Sequence, residues 1–328
     1  MNLQGLHLGQ AARIIMRTTP ILLVRLGAYL VFWFIALVYF LIVGGIAYLV
    51  GQAIPLVGFI LFIVAFGGVV PLYKFAYHYV FYLLKAAHLA VISELLVAGK
   101  LPDGVNQLSW GKDQVQQRFG EVNAMLVVDE IVHAVVRRFT RTVYRLASLL
   151  PGDSLRQIVA IANRVVRLAT TYVDEAIMAR AFWTRGSVWS VAQDGVVLYA
   201  MCWKPMIKNA IILMLLSYVP FVAAVILLAA PIGFLVALIS PTLAGWSVLL
   251  ILLLAFLVKV AIGDSFAMAA IITTYQREIE GMEPDPAMMA RLEQVSDKFK
   301  VLRERAAAEV SAMTSSSPTK ATSPALES

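Results

Sequence analysis

The sequence has a single cysteine, Cys202, among its 328 residues. One thiol excludes a disulfide framework and a cysteine-rich metal site within one chain. Charged residues are scarce as well, at 14% of the sequence, whereas hydrophobic residues make up 60% and the mean hydropathy is +0.81. A soluble chain of this length needs far more polar surface, so this composition excludes an ordinary soluble protein and indicates a membrane protein.

The short motifs by which many enzymes are recognised are also missing. The sequence has no glycine-rich phosphate loop, no serine nucleophile-elbow motif and no His-Glu-x-x-His zinc motif. It does not indicate a cofactor. These absences remove the specific reasons to propose an enzyme, although they do not exclude one.

Four long runs of the sequence are strongly apolar. A bilayer core requires about 20 apolar helical residues, so each run is long enough to form a transmembrane helix. The runs fall into two pairs, each joined by an uncharged turn (52–55 and 231–245), and the sequence therefore predicts two membrane hairpins. The four runs are Leu26–Val50, Leu56–Tyr73, Met206–Ala230 and Trp246–Ile272.

Small residues recur on one face of each of the first two spans. Such residues let two membrane helices approach closely, where no hydrophobic effect draws them together. The alternative is the ordinary frequency of Gly and Ala in membrane helices. The residues are Gly44, Ala47 and Gly51 on the first span, and Gly58, Ala65 and Gly68 on the second.

Lys and Arg residues lie on one side of the predicted spans. Arg13, Arg17 and Arg25 precede the first span, and segment 74–208 contains more Lys and Arg than acids, whereas both turns within the hairpins carry neither. The positive-inside rule therefore predicts a multi-pass protein of the cell membrane, with both termini and the central segment in the cytoplasm. This bias explains the net charge of +7, so we expect no nucleic-acid partner.

The predicted fold is all-α: a polytopic membrane protein with four transmembrane helices and a central cytoplasmic helical-hairpin domain. Shifts in composition divide the chain into five parts. The parts are a first membrane hairpin with interfacial flanks (1–98), the central amphipathic domain (99–204), a second membrane hairpin (205–280), a C-terminal amphipathic helix (281–312) and a disordered tail (313–328).

The central domain has the pattern of a helical hairpin. Apolar residues recur at spacings of three and four over 112–150 and again over 155–183, which predicts two amphipathic helices, the first of them broken or bent within its length. Pro151-Gly152-Asp153-Ser154 separates them as a turn. In an antiparallel hairpin that turns near Gly152, residues on the two helices pair by height. The hairpin is then banded into an acidic layer and a basic layer.

The acidic layer is a candidate metal site. Glu130 and His133 lie three residues apart, a spacing that directs both side chains toward a metal in some helical bundles. The alternative is that the acids are solvated or paired with Arg137, Arg138 or Arg180. The candidate metal ligands are Asp129, Glu130, His133, Asp174 and Glu175.

The basic layer is a candidate lipid-binding surface. Arg137, Arg141 and Arg145 lie four residues apart on one helical face, and Arg164 and Arg167 lie at a similar height on the next helix. Near a membrane, each such cation adds on the order of 1 kcal/mol of attraction to anionic lipids. The alternative is a solvated face, or salt bridges to the acids of the same domain.

Two further patterns concern the C-terminal half. Lys259 and Asp264 lie near the cytoplasmic end of the fourth span, where pairing or snorkelling is expected. Apolar residues in 286–310 recur at spacings of four and three, as in a coiled-coil seam. They favour either a homo-oligomer or protein partner through this helix, or packing against the central hairpin of the same chain.

The segment from Tyr172 to Gly281 resembles the C-terminal part of the choline-transporter-like family. In that family an interfacial helix rich in aromatic residues, Ala and Ser leads into a membrane hairpin and an acidic cytoplasmic stretch. The resemblance implies a transporter, although that family has about ten spans and no binding residue is transferred from it. The matching residues are Tyr172, Ala176, Ala181, Val191-Ala192-Gln193, Leu198 and Glu278 to Glu280.

Three functions are compatible with these patterns. The spans carry no charge near mid-bilayer, which a transporter of polar solutes usually has, so we favour a non-enzymatic membrane scaffold or assembly factor that contacts the lipid bilayer. The first alternative is a solute or lipid transporter that acts as an oligomer. The second is a metal-dependent membrane enzyme that uses the acidic layer.

Overall fold

The computed structural model describes residues 7–120, 122–147, 170–184, 186–239 and 244–316. Within these ranges the secondary structure is helical and contains no strand, which confirms the all-α class.

The helices are numbered in chain order. They are α1 (Leu8–Arg17), α2 (Thr19–Ala53), α3 (Pro55–Ala76), α4 (Tyr82–Val97), α5 (Gln107–Phe119), α6 (Val122–Ala147), α7 (170–183), α8 (Val188–Met201), α9 (Trp203–Leu216), α10 (Val219–Ile239), α11 (Ala244–Val258), α12 (Asp264–Glu278), α13 (Pro286–Val295) and α14 (Asp297–Ser316).

Within the described residues, four helical stretches are long and apolar enough to cross a membrane. They are Thr19–Ala53, Pro55–Val97, Trp203–Ile239 and Gly245–Glu278. Most of their large apolar side chains have no cover from the rest of the chain, as at Phe34 (67% exposed) and Leu227 (73% exposed). The predicted number of long apolar helices is therefore confirmed, and their apolar surface is what a helix in contact with lipid requires.

Two of these stretches contain one turn of π-helix. The first π turn, Tyr77–Phe81, joins α3 to α4, and the second, Lys259–Gly263, joins α11 to α12. A π turn inserts one extra residue into a helix, which widens the turn and frequently marks a functional site. Both π turns lie where the apolar part of the helix gives way to its buried, polar part.

Helices α2 and α3 approach closely at their connected ends, where Ile54 alone separates them. A Cβ atom built on Gly58 would lie 2.2 Å from the Cα atom of Gly51 and 2.8 Å from the carbonyl oxygen of Ala47. Only glycine fits there. The sequence-based prediction of a close contact through small residues is thus confirmed for this pair.

The larger of two buried clusters among the described residues joins the ends of the apolar helices to the rest of the chain. It contains residues of α1, α4, α5, α6, α7, α8, α9, α12, α13 and α14. Helix α12 packs on α1 and α9, and α14 covers α8 and α6. The helices between the two apolar pairs therefore pack in one core with the ends of the apolar helices.

Several boundaries differ from those expected. The turn predicted to begin at Pro231 is helical, because α10 continues to Ile239 with the proline inside it. The helix predicted over 112–150 begins earlier, at Gln107, and the break expected within it lies at Gly120, which adopts φ 70° between α5 and α6. The single helix predicted over 286–310 is divided at Ser296, and it extends to Ser316.

The apolar stripe of the C-terminal helices faces the inside of the protein. Leu292, Phe299 and Leu302 are fully buried, in the same core as residues of α6 and α8. The apolar residues of these helices therefore pack within the chain, which is one of the two alternatives that the sequence left open. Helix α8 lies beneath α14, with the Arg305 guanidinium 4.7 Å from the centroid of the Trp189 ring.

Candidate functional site

A cavity of about 540 Å³ lies where the two pairs of apolar helices meet α6 and α7. Both π turns contribute to its wall, as do five acidic side chains and three Lys or Arg side chains. The volume falls in the range of about 300–1,000 Å³ that is typical of ligand pockets. Its polar and aromatic lining consists of Arg25, Tyr29, Tyr73, Tyr77, His78, Phe81, Lys85, Asp129, Glu130, His133, Thr171, Tyr172, Asp174, Glu175, Tyr218, Lys259 and Asp264.

One wall of the cavity carries two charge contacts between α4, α6 and α7. The Lys85 ammonium lies 2.9 Å from the Glu175 carboxylate, and His133 Nδ1 lies 2.5 Å from Asp174 Oδ2. The hydrogen bond to Asp174 raises the pKa of His133, which favours the imidazolium and a charged pair. The cation beside Glu175 comes from α4, and not from the arginines that the sequence suggested as partners.

Burial changes the titration of this wall. It raises the pKa of Glu175 to about 7, against the opposing effect of Lys85. It also raises the pKa of Asp129 to about 6, with the same opposing effect. The net charge of this wall therefore changes between about pH 6 and pH 7, because burial disfavours the ionised form of both carboxyl groups.

The opposite wall is formed at the second π turn. The Asp264 carboxylate accepts hydrogen bonds from the Lys259 ammonium (2.6 Å) and from the Tyr172 hydroxyl (2.7 Å). The Lys259 ammonium also lies 4.8 Å from the centroid of the Tyr218 ring, in cation–π geometry. The pairing of Lys259 with Asp264 that the sequence predicted is confirmed.

Arg25 is the third cation of the cavity, and it is 94% buried, with 6% of its surface exposed. Its Nη1 atom donates to Ser265 Oγ (2.6 Å) and to His88 Nδ1 (3.1 Å). Because His88 Nδ1 accepts, the proton of the ring lies on Nε2, which donates to Thr18 Oγ1 at 3.0 Å. The neighbours of this guanidinium are therefore neutral.

The charge of Arg25 has no carboxylate partner among the described residues, and its Nε atom is buried without a hydrogen bond. A buried cation that lacks an opposite charge carries a desolvation penalty of several kcal/mol. Sequence reasoning missed this residue, because Arg25 directly precedes an apolar run and was assigned to the cytoplasmic stretch. Its partners His88 and Ser265 lie on helices far along the chain.

The five predicted metal ligands all line the cavity, as pairing by height in the hairpin predicted. Within the described ranges, however, no group of three His, Cys, Asp or Glu side chains is arranged to hold a metal ion. His133 is hydrogen-bonded to Asp174, Glu175 forms an ion pair with Lys85, and Glu130 is exposed to solvent. The metal site stays a prediction to which the geometry adds no support.

The structure describes the side chains of only two of the five predicted lipid-binding arginines. Arg137 and Arg141 are exposed on α6, as a lipid contact requires. Arg138, beside them, donates instead to the carbonyl oxygen of Val295 at 3.2 Å. The side chain of Arg145, together with Arg164 and Arg167 and the predicted turn at 151–154, lies outside the described residues. Lipid contact by this layer stays a prediction.

The chain was compared with protein-family models, with curated proteins and with solved structures. None of the three comparisons found a match. The resemblance to the choline-transporter-like family therefore stays a prediction, and function has to be argued from the cavity.

Proposed function

We propose that this chain is a four-span membrane protein made of two helical hairpins, with both termini and α5–α8 in the cytoplasm. We further propose that it works without catalysis, as a scaffold that holds an amphiphilic ligand such as a membrane lipid at the inner membrane boundary. The observation that carries this proposal is the cavity. It places charged groups directly beside the uncovered apolar surfaces of the helices.

The chemistry of the cavity fits an amphiphile. Tyr73 and Tyr77, on its rim, are partly exposed on the same helix whose apolar surface precedes them. Tyrosine is favoured at the boundary between hydrocarbon and water, where its ring and hydroxyl contact different phases. A ligand held here would place its polar group among the charges and its chains along the apolar helices.

The orientation predicts the accessibility of single cysteines. In a background that carries Cys202→Ser, cysteines at Gln52 and Thr242 are expected to react with a membrane-impermeant maleimide added to intact cells. A cysteine at Asp103, which is exposed in the turn before α5, is expected to react only after permeabilisation. Labelling of position 103 in intact cells, or protection of 52 or 242, would contradict the proposed topology.

Lipid retention tests the function. The full chain, purified in a mild nonionic detergent, is expected to retain stoichiometric phospholipid in native mass spectrometry. Leu126→Trp, which adds bulk to a side chain lining the cavity, is expected to lose it. Val127→Trp is the matched control, because Val127 is exposed on the same helix and does not line the cavity. Equal retention by both variants would show that lipid does not occupy this space.

Lipid or solute transport is a second candidate, and one observation favours it. Both π turns and both helix pairs line the cavity, so a change in their packing would open it toward either side. A vesicle assay that follows a fluorescent phospholipid between leaflets separates the two roles. A transporter accelerates this exchange, whereas a scaffold leaves it at the rate of protein-free vesicles.

A further inference from the structure

Among the described residues, one cation and one acid of the cavity have no direct ion-pair partner. Lys85 is paired with Glu175, Lys259 with Asp264, and His133 with Asp174. Among the described residues, Arg25 forms no ion pair with an acid and Asp129 forms none with a cation. The remaining acid, Glu130, is exposed to solvent.

This arrangement matches a ligand that carries both charges. A simple anion would pair with Arg25 and leave Asp129 without a direct ion-pair partner, and a simple cation would pair with Asp129 and leave Arg25 without one. A zwitterion offsets both at once. Once the His133 imidazolium is counted, the one acid in excess of the cations is Glu130, which is exposed to solvent, so a ligand of zero net charge matches the buried charges.

We infer that the cavity binds the headgroup of a zwitterionic phospholipid, with the phosphate at Arg25 and the ammonium at Asp129. This inference rests on the proposed function and names its ligand. It departs from the anionic lipids that the basic layer suggested, because the two sites have opposite charge balance.

Arg25 is suited to a phosphate for two reasons. Its planar guanidinium forms paired hydrogen bonds with phosphate oxygens, and its buried Nε has a free proton for such a bond. Its contacts with His88 and Ser265 fix the side chain without neutralising it. The group is thus held in place by neutral partners and keeps its full charge for the ligand.

An acid and several aromatic rings line the cavity where the ammonium group of the ligand would bind. Asp129 lines the same cavity as Tyr29, Tyr73, Tyr77 and Tyr218. Tyrosine faces attract ammonium groups, and the contact between Lys259 and Tyr218 already has this geometry within the protein. Carboxylate and ring faces together favour an organic ammonium over a metal ion.

The test measures binding of short-chain phospholipids to the full chain in nonionic detergent, by titration calorimetry at pH 7.5. Dihexanoyl phosphatidylethanolamine is expected to bind about tenfold or more tightly than dihexanoyl phosphatidylglycerol, since one compensated charge contributes about 1.4 kcal/mol or more. Free phosphoethanolamine, which lacks the acyl chains, is expected to bind more weakly than the lipid. Equal affinity for phosphoethanolamine would overturn the lipid assignment.

Two variants assign the ends of the headgroup. Asp129→Asn is expected to remove the preference for phosphatidylethanolamine over phosphatidylglycerol, whereas Arg25→Gln is expected to weaken both about tenfold. Asp113→Asn and Arg13→Gln are the matched controls, because both residues are exposed and neither lines the cavity. If Arg25→Gln does not fold, the loss of preference in Asp129→Asn still decides the assignment.

The outcomes separate this inference from the function on which it rests. Equal binding of both lipids by the parent protein would overturn the zwitterion and leave lipid binding intact. Retained preference in Asp129→Asn would overturn the assignment of the ammonium. Absence of any lipid binding by the parent would overturn the inference and the proposed function together.

Discussion

Replacing Lys85 with methionine is expected to lower the free energy of unfolding by about 3–5 kcal/mol at pH 8, the usual cost of removing one partner from a buried ion pair. The side chains of Lys85 and Glu175 are 24% and 14% exposed, and their charged atoms lie 2.9 Å apart. Methionine keeps the aliphatic length of lysine and removes only the charge. Unfolding of the detergent-solubilised chain, followed by circular dichroism, gives the difference.

The size of this loss is expected to depend on pH. Burial raises the pKa of Glu175 from 4.5 to about 7, so the folded state holds this proton more tightly than the unfolded state. Binding of this proton to Glu175 stabilises the folded state. The stabilisation is fully present below about pH 4.5 and is lost as the pH rises through about 7. Without Lys85 the pKa of Glu175 rises further, so the loss of stability extends to higher pH. We therefore expect a small difference from the parent at pH 5 and a large one at pH 8.

Two control proteins make this result specific. Lys112→Met removes an exposed lysine on α5 and is expected to leave the stability unchanged at both values of pH. Glu175→Gln combined with Lys85→Met removes both charges and is expected to recover most of the loss at pH 8. A loss that is equal at pH 5 and pH 8 would mean that packing, and not the ion pair, determines the effect.

Leucine in place of Gly58 is expected to produce the second large effect. Its Cβ atom would fall 2.2 Å from the Cα atom of Gly51, so the backbones of α2 and α3 have to separate. Overpacking of a core usually costs about 1–3 kcal/mol, and here backbone atoms leave no flexible side chain to move aside. We expect a loss at or above the upper end of this range, measured as a lower midpoint of thermal unfolding in detergent.

Gly67→Leu is the matched control on the same helix. A Cβ atom on Gly67 meets no other atom within 4 Å, and the residue is exposed. Leucine favours helix over glycine by up to about 1 kcal/mol, so this variant is expected to be as stable as the parent or slightly more stable. Similar losses in the two variants would indicate that the close contact between α2 and α3 does not hold this helix pair together.

The sequence by itself determined the features that depend on neighbouring residues. Long apolar runs and small-residue faces are periodic along the chain, so they predicted four long apolar helices and the contact at Gly51 and Gly58. The contact of Lys259 with Asp264 was predictable only from their closeness in sequence, since the π turn Lys259–Gly263 is what brings side chains five residues apart together. The turn predicted from Pro231 was wrong, because a long apolar helix such as α10 tolerates a proline that normally ends a helix of a soluble protein.

Which distant charges meet depends on how the helices pack. Lys85 on α4 reaches Glu175 on α7, and Arg25 on α2 meets His88 and Ser265, although each pair is separated by many residues and by no regular spacing. The apolar seam at Phe299 fits another chain as well as it fits α8, so its pattern left the partner open. Periodicity specifies which face of a helix is apolar or charged. It does not specify what covers that face, because that choice depends on the combined packing of all the helices.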